Sequence, residues 1–275
     1  MSLFRAAAGA LCAAVIWAMP AQAEDRPELD TLLEALRMTD TVDIMREEGL
    51  AYAESLALEM MPDADLDGWQ VSVERIYDTD KMQNLVEERM TQALKGENLA
   101  PLNEFFASDL GREVVELELS AREAFLDPEV ESAAKDQYED LSRKGALIVD
   151  QIETLIEDSD LIEHNVMGIL NSNLMLYRGL ADGGAYDLSE EDMLLDVWSQ
   201  EDGVREDSAA WIGAYLLTAY QPLEDDEVDA YIALWQSDEG QALNRALFAT
   251  FDRMYEELSY LVGQAVAQHM RSQKL

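Results

Sequence analysis

A short acidic stretch carries the most specific ligand-binding pattern in the chain. Residues 62–74 read PDADLDGWQVSVE. Three aspartates at alternate positions, then a glycine, then a glutamate six residues later match the spacing of calcium ligands in an EF-hand loop. The oxygen donors in this hypothesis are Asp63, Asp65, Asp67, the carbonyl of Trp69 and the carboxylate of Glu74. The stretch predicts either a calcium loop or an acidic turn.

Other features of the same stretch favour the acidic turn. Pro62 directly precedes the first aspartate, and Gln70 takes a loop position that is usually apolar in EF-hands. Asp67 can instead cap a helix that starts at Gly68, with Gln70 as its capping-box partner. We then expect Glu74 to lie more than one turn along that helix, away from the aspartates. Calcium binding is kept as the alternative.

Side chains suited to catalysis are few and scattered. Neither His164 nor His269 has a glutamate three residues before it, so the Glu-x-x-His pairs of di-iron bundles are missing. Cys12 is the single cysteine. Carboxylates are abundant, but helical faces such as that of Glu116 and Glu118 are expected to be solvated. The sequence predicts no catalytic constellation and no cofactor other than the alternative calcium ion.

The first 23 residues resemble a cleavable export signal. Arg5 supplies a positive start, an apolar run follows, and Ala21 and Ala23 fit the small residues of a signal peptidase site. The mature chain is expected to begin at Glu24 in the periplasm. It then has no cysteine, so disulfides and thiolate metal sites are excluded. No integral membrane segment is expected after cleavage of the signal.

Charge excludes several classes of partner. The chain has 58 acidic residues against 19 basic ones, and a net charge of −39. Such a surface repels nucleic acids and anionic lipid headgroups. The expected partner is therefore another protein or a second copy of the chain.

Apolar residues recur at three- and four-residue spacing along most of the chain, which predicts an all-α protein. The aromatic residues within these stripes, Trp69, Trp198 and Trp211 among them, are expected to belong to the core. Asp80, Asp127 and Ser189 stand where helix caps are expected. Two segments also match at an offset of 129 residues, with LDGW at 66–69 against LDVW at 195–198. We therefore predict two similar helical bundles from an internal duplication, at 24–152 and 153–275.

The second matching pair of segments predicts a helix-to-helix corner in each half. FFASDLG at 105–111 aligns with LWQSDEG at 234–240, so an aromatic residue is followed by Ser, Asp and Gly at fixed spacing. Each serine can cap the following helix, and each glycine allows a close approach of two helices. The residues of these structural motifs are Phe106, Ser108, Gly111, Trp235, Ser237 and Gly240.

At these residues the chain resembles a bacterial exported family, the domain of unknown function 2059, in two tandem copies. The resemblance covers about 50 residues in each half and implies an exported helical protein without assigned chemistry. Together with the missing catalytic constellation, it predicts a non-enzymatic interaction or envelope-associated module in the periplasm. A calcium-responsive binding protein that uses the stretch at 63–74 is the alternative.

Overall fold

The computed structural model describes residues 26–61 and 66–272, and within them every regular element is an α-helix. The all-α prediction is confirmed. The helices are α1 Pro27–Ala35, α2 Met38–Met60, α3 Leu66–Ile76, α4 Thr79–Ala93, α5 Ala100–Phe106, α6 Asp109–Ala124, α7 Pro128–Lys144, α8 Leu147–Asp158, α9 Leu161–Asp182, α10 Glu190–Trp198, α11 Glu201–Tyr220, α12 Asp225–Gln236 and α13 Asp238–Ser272.

Capping side chains begin several helices where the sequence predicts them. Asp127 caps α7 and Ser189 caps α10, each by accepting a hydrogen bond from an amide in the first turn. The prediction for α4 is two residues late. Asp78, not Asp80, has the extended backbone of an N-cap and accepts from a first-turn amide at 3.1 Å.

The last helix, α13, organises the fold. It has 35 residues and is therefore about 52 Å long. It packs lengthwise against α9 and also contacts α4 and α3. The two long helices run in the same direction, since His164 stacks on Phe248 at 4.4 Å and, further along, Tyr260 donates a hydrogen bond to Asp182 at 2.8 Å.

The main hydrophobic core is shared between the two halves of the chain. Phe106 and Leu119 from the first half belong to the same buried cluster as Leu243 and Met254 from the second. In each half a longer helix, a shorter helix and a serine-preceded helix follow one another, as α4, α5 and α6 in the first half and as α11, α12 and α13 in the second. However, α13 continues without a break past the position that corresponds to the end of α6. The division into two duplicated bundles stays a prediction.

The predicted export signal, residues 1–23, lies outside the described residues. None of the described helices combines the length and the apolar character needed to cross a membrane.

Candidate functional site

The first predicted corner is a tight turn between α5 and α6. Ser108 has an extended backbone, and its Oγ accepts a hydrogen bond from the Gly111 N–H at 3.0 Å. Phe106 is 1% exposed and belongs to the main core. A Cβ on Gly111 would lie 2.6 Å from Phe106 Cα and closer still to the Phe105 carbonyl oxygen, whereas carbon atoms pack at about 3.5–4.0 Å. Only glycine allows the end of α5 to approach α6 this closely.

The second corner joins α12 to α13 with the same capping hydrogen bond and the same close approach at glycine. The Ser237 Oγ accepts a hydrogen bond from the Gly240 N–H at 3.0 Å and donates one to the Leu234 carbonyl at 2.5 Å. A Cβ on Gly240 would lie 2.9 Å from Trp235 Cα. Trp235 is half-buried and packs against the main core. At both corners, the serine caps the second helix and the glycine permits the close approach.

The predicted calcium loop falls only partly within the described structure. Asp63 and Asp65 lie outside the described residues. Helix α3 begins at Leu66, two residues before the predicted start at Gly68. Asp67 therefore lies in the first turn of α3 and is not the N-cap that the sequence predicts.

The other two predicted calcium ligands are part of the same helix. Trp69 is 4% exposed, its indole N–H donates a hydrogen bond to the Ala53 carbonyl of α2 at 3.1 Å, and its ring meets His269 edge-on. Glu74 is exposed and accepts a hydrogen bond from the Gln70 side chain, one turn earlier, at 3.1 Å. Across the described residues, no group of three or more Asp, Glu, His or Cys side chains is arranged to hold a metal ion.

A polar network that the sequence analysis missed joins the two halves. Glu118 on α6 is half-buried, and its Oε1 accepts hydrogen bonds from the Tyr220 hydroxyl at 2.5 Å and the Tyr231 hydroxyl at 2.7 Å. Removal from water raises the pKa of the Glu118 carboxyl, and these two hydrogen bonds oppose the rise. The expectation that Glu118 is solvated is wrong. Glu116, by contrast, is exposed as expected and pairs with Arg37.

The spacing of residues in α6 was the signal that could have identified this network. Val114 and Leu119 are buried, and Glu118 and Arg122 fall on the same three- and four-residue stripe. Ionisable groups on a buried stripe require partners, because an unpaired buried charge is costly. Arg122 finds its partner in Glu48 of α2, through two hydrogen bonds of 2.8 Å.

The aromatic rings around Glu118 are packed against one another. Tyr231 stacks on Phe105 at 5.8 Å and meets Tyr220 and Trp235 edge-on at 5.5 and 5.8 Å. The network therefore holds α6 against α11 and α12. Two shallow surface grooves of about 350 Å³ each lie away from this network. One lies beside α1, α2 and α4, and the other lies between α2, the start of α4 and the end of α6.

An exposed apolar surface occurs on α10, where the sequence predicts a core tryptophan. Leu195 is 66% exposed, Trp198 49% and Leu194 37%. Leu194 and Leu195 precede Trp198 by four and three positions, so the three side chains lie on one side of the helix, called here the α10 face. On the other side, Met193 and Val197 are buried where α10 packs on α9. The prediction that Trp198 belongs to the core is wrong, because α9 covers only one side of α10.

Polar contacts attach α10 to α9. The Tyr177 hydroxyl donates a hydrogen bond to Asp196 Oδ2 at 2.6 Å, and Arg178 pairs with Glu190 at the start of α10. The α10 face is thus presented by a helix that is bonded to the body of the protein near both of its ends.

No protein-family model, curated protein or solved structure matches this chain. The resemblance of the two corners to the domain of unknown function 2059 family stays a prediction. Since no relative indicates a function, the function is inferred from two structural features, the exposed α10 face and the Glu118 network.

Proposed function

We propose that this protein is an exported, non-enzymatic interaction module that binds another protein through the α10 face. The proposal depends on one observation, the ridge formed by Leu194, Leu195 and Trp198 on a helix whose other side is already packed. Contiguous exposed apolar patches, unlike single exposed apolar residues, are typical of protein interaction sites. Tryptophan is also enriched among the residues that dominate the binding energy of such interfaces.

The Glu118 network supports the non-enzymatic part of the proposal. Glu118 accepts hydrogen bonds from Tyr220 and Tyr231, and Arg122 is paired with Glu48. A general acid or base must reach a reacting atom of the substrate at hydrogen-bonding distance. These groups are instead engaged with one another, which favours a role in holding the helices together.

Export can be tested separately from binding. If the leader is cleaved as proposed, N-terminal sequencing of the protein recovered from its producing cell should begin at Glu24. A chain that retains Met1 or starts elsewhere would contradict the predicted cleavage site.

Site-specific photo-cross-linking tests the binding proposal. A benzophenone amino acid placed at Leu195 should give a discrete covalent adduct with another protein in the producing cell. The same amino acid at Leu58, which is 62% exposed on α2, is the matched control and should give no such adduct. Adding Trp198→Gln to the Leu195 probe should abolish the adduct. Equal labelling at both positions, or none at Leu195, would refute the proposal.

A further inference from the structure

We propose that the partner presents a basic amphipathic helix to the α10 face. This inference rests on the proposed function, because it names the chemistry of the partner at the same surface. It combines the shape of the apolar ridge with the charge that surrounds it.

The apolar ridge fits a helical partner. Leu194, Leu195 and Trp198 lie within a little more than one turn of α10, so they form a narrow strip rather than a broad flat patch. An amphipathic helix binds such a strip with apolar residues at three- and four-residue spacing. Trp69 shows how this fold covers an indole, since α2 lies over it and accepts its N–H hydrogen bond. No described residue accepts a hydrogen bond from the Trp198 indole, so that group is free for a partner.

The charge around the ridge selects a basic partner. Residues 187–207 contain nine carboxylates and one basic residue, Arg205. Arg205 pairs with Glu163 and Glu201, and Arg178 pairs with Glu190. Glu191, one turn before Leu194 and Leu195, has no ion pair within the described part of the chain.

The same charges disfavour the other occupants of this surface. A second copy would bring an equally acidic segment against the first, and an anionic bilayer would be repelled in the same way. Lysine or arginine side chains that flank an apolar strip would meet the Glu191 carboxylate at the rim of the interface. Such rim charges chiefly raise the association rate and make it dependent on salt.

A synthetic peptide provides the test. The probe is a labelled helical peptide of about 18 residues, with leucine on one face and lysine on the other. A second peptide, with glutamate in place of lysine, controls for the apolar face alone. Fluorescence anisotropy should show saturable binding of the lysine peptide to the full chain, with the glutamate peptide bound at least about tenfold more weakly.

Variants separate the apolar contribution from simple charge attraction. Leu195→Gln combined with Trp198→Gln leaves the net charge unchanged and should raise the dissociation constant of the lysine peptide about tenfold or more. Leu58→Gln, at an exposed leucine on another helix, should change it by less than about twofold. Glu191→Lys should weaken binding and reduce its salt dependence. Circular dichroism melts of each variant confirm that the fold is retained.

Several results would overturn the inference. Two results would show only general attraction to an acidic surface. One is an equal change in the dissociation constant of the lysine peptide in the Leu58 and Leu195 variants. The other is a loss of peptide binding at about 0.5 M salt that is the same for the wild type and every variant. A dimer in sedimentation experiments that is lost in the Leu195→Gln variant would identify a second copy as the occupant. If the peptide fails while the Leu195 cross-link succeeds, the basic helix is wrong and the proposed function stands. If both fail, the proposed function is refuted as well.

Discussion

The glycine at each helix corner allows a sharp test of the packing argument. Gly240 is the third residue of α13, and a Cβ there would lie 2.9 Å from both Leu234 C and Trp235 Cα. Gly203 is the third residue of α11, and a Cβ there would have no atom within 4 Å. Gly203→Ala is therefore a control for Gly240→Ala at the same helix position.

The two substitutions share one effect on stability and differ in another. Replacing glycine by alanine in a helix stabilises by about 0.5–1 kcal/mol, and both variants gain this. Only the Gly240 variant adds a clash, and overpacking costs about 1–3 kcal/mol. The upper end applies here because the obstacle is the backbone of α12, which cannot rotate away as a side chain can. We expect Gly240→Ala to be about 3 kcal/mol less stable than Gly203→Ala.

Thermal unfolding followed by circular dichroism measures this difference. For a chain of this size, 1 kcal/mol shifts Tm by about 2–4 °C, so Gly240→Ala should melt about 6–12 °C below Gly203→Ala. Gly111→Ala should behave like Gly240→Ala, because the first corner has the same close approach. If Gly240→Ala and Gly203→Ala melt together, the corner does not depend on glycine and the packing argument is wrong.

Three further predictions concern single side chains. Ser237→Ala removes the cap of α13 and should lower the free energy of unfolding by about 1 kcal/mol in urea denaturation; an unchanged value would mean that the hydroxyl does not act as a cap. The folded-state pKa of Glu118 is raised above its ordinary value of 4.5, so the native state retains a proton that the unfolded chain releases. The stability that this group contributes is therefore fully present below pH 4.5 and is lost as the pH rises through the raised pKa. In urea denaturation, the free energy of unfolding of the wild type should fall over this pH range relative to that of Glu118→Gln. A difference between the two proteins that does not change with pH would contradict the raised pKa of Glu118. Calorimetric titration of chelator-treated protein with calcium should show no saturable heat that Glu74→Gln abolishes, because Glu74 and Trp69 lie within one helix; such a heat would establish the calcium alternative.

Local rules predicted the helix corners well. Ser108 and Ser237 cap their helices with the same 3.0 Å hydrogen bond, and Gly111 and Gly240 occupy the same close approach. These features depend on residues within about six positions of one another, so the sequence pattern contains all of their partners. The same locality explains the confirmed all-helical class, since helical periodicity is a short-range signal.

The start of α3 shows where local rules fail. Asp67 was expected to cap a helix at Gly68, but the helix begins at Leu66. Several residues in an acidic stretch can serve as a cap, and their local preferences differ by only a few tenths of a kcal/mol. Packing of Trp69 beneath α2 is a long-range contact that such preferences do not include.

By itself, the sequence determined that the protein is helical, that it is strongly acidic, and where its two serine-capped corners lie. Only the tertiary structure decided which of two chemically similar residues became buried. Trp69 is covered by α2 while Trp198 is exposed, and Glu116 is exposed while Glu118 contacts two tyrosines from the other half of the chain. The physical reason is that burial depends on which helices pack together, at a separation of 16 positions for Trp69 and Ala53 and of 102 and 113 positions for Glu118 and its two tyrosines. A repeating apolar pattern shows that a helix has a buried side without showing which neighbour covers it.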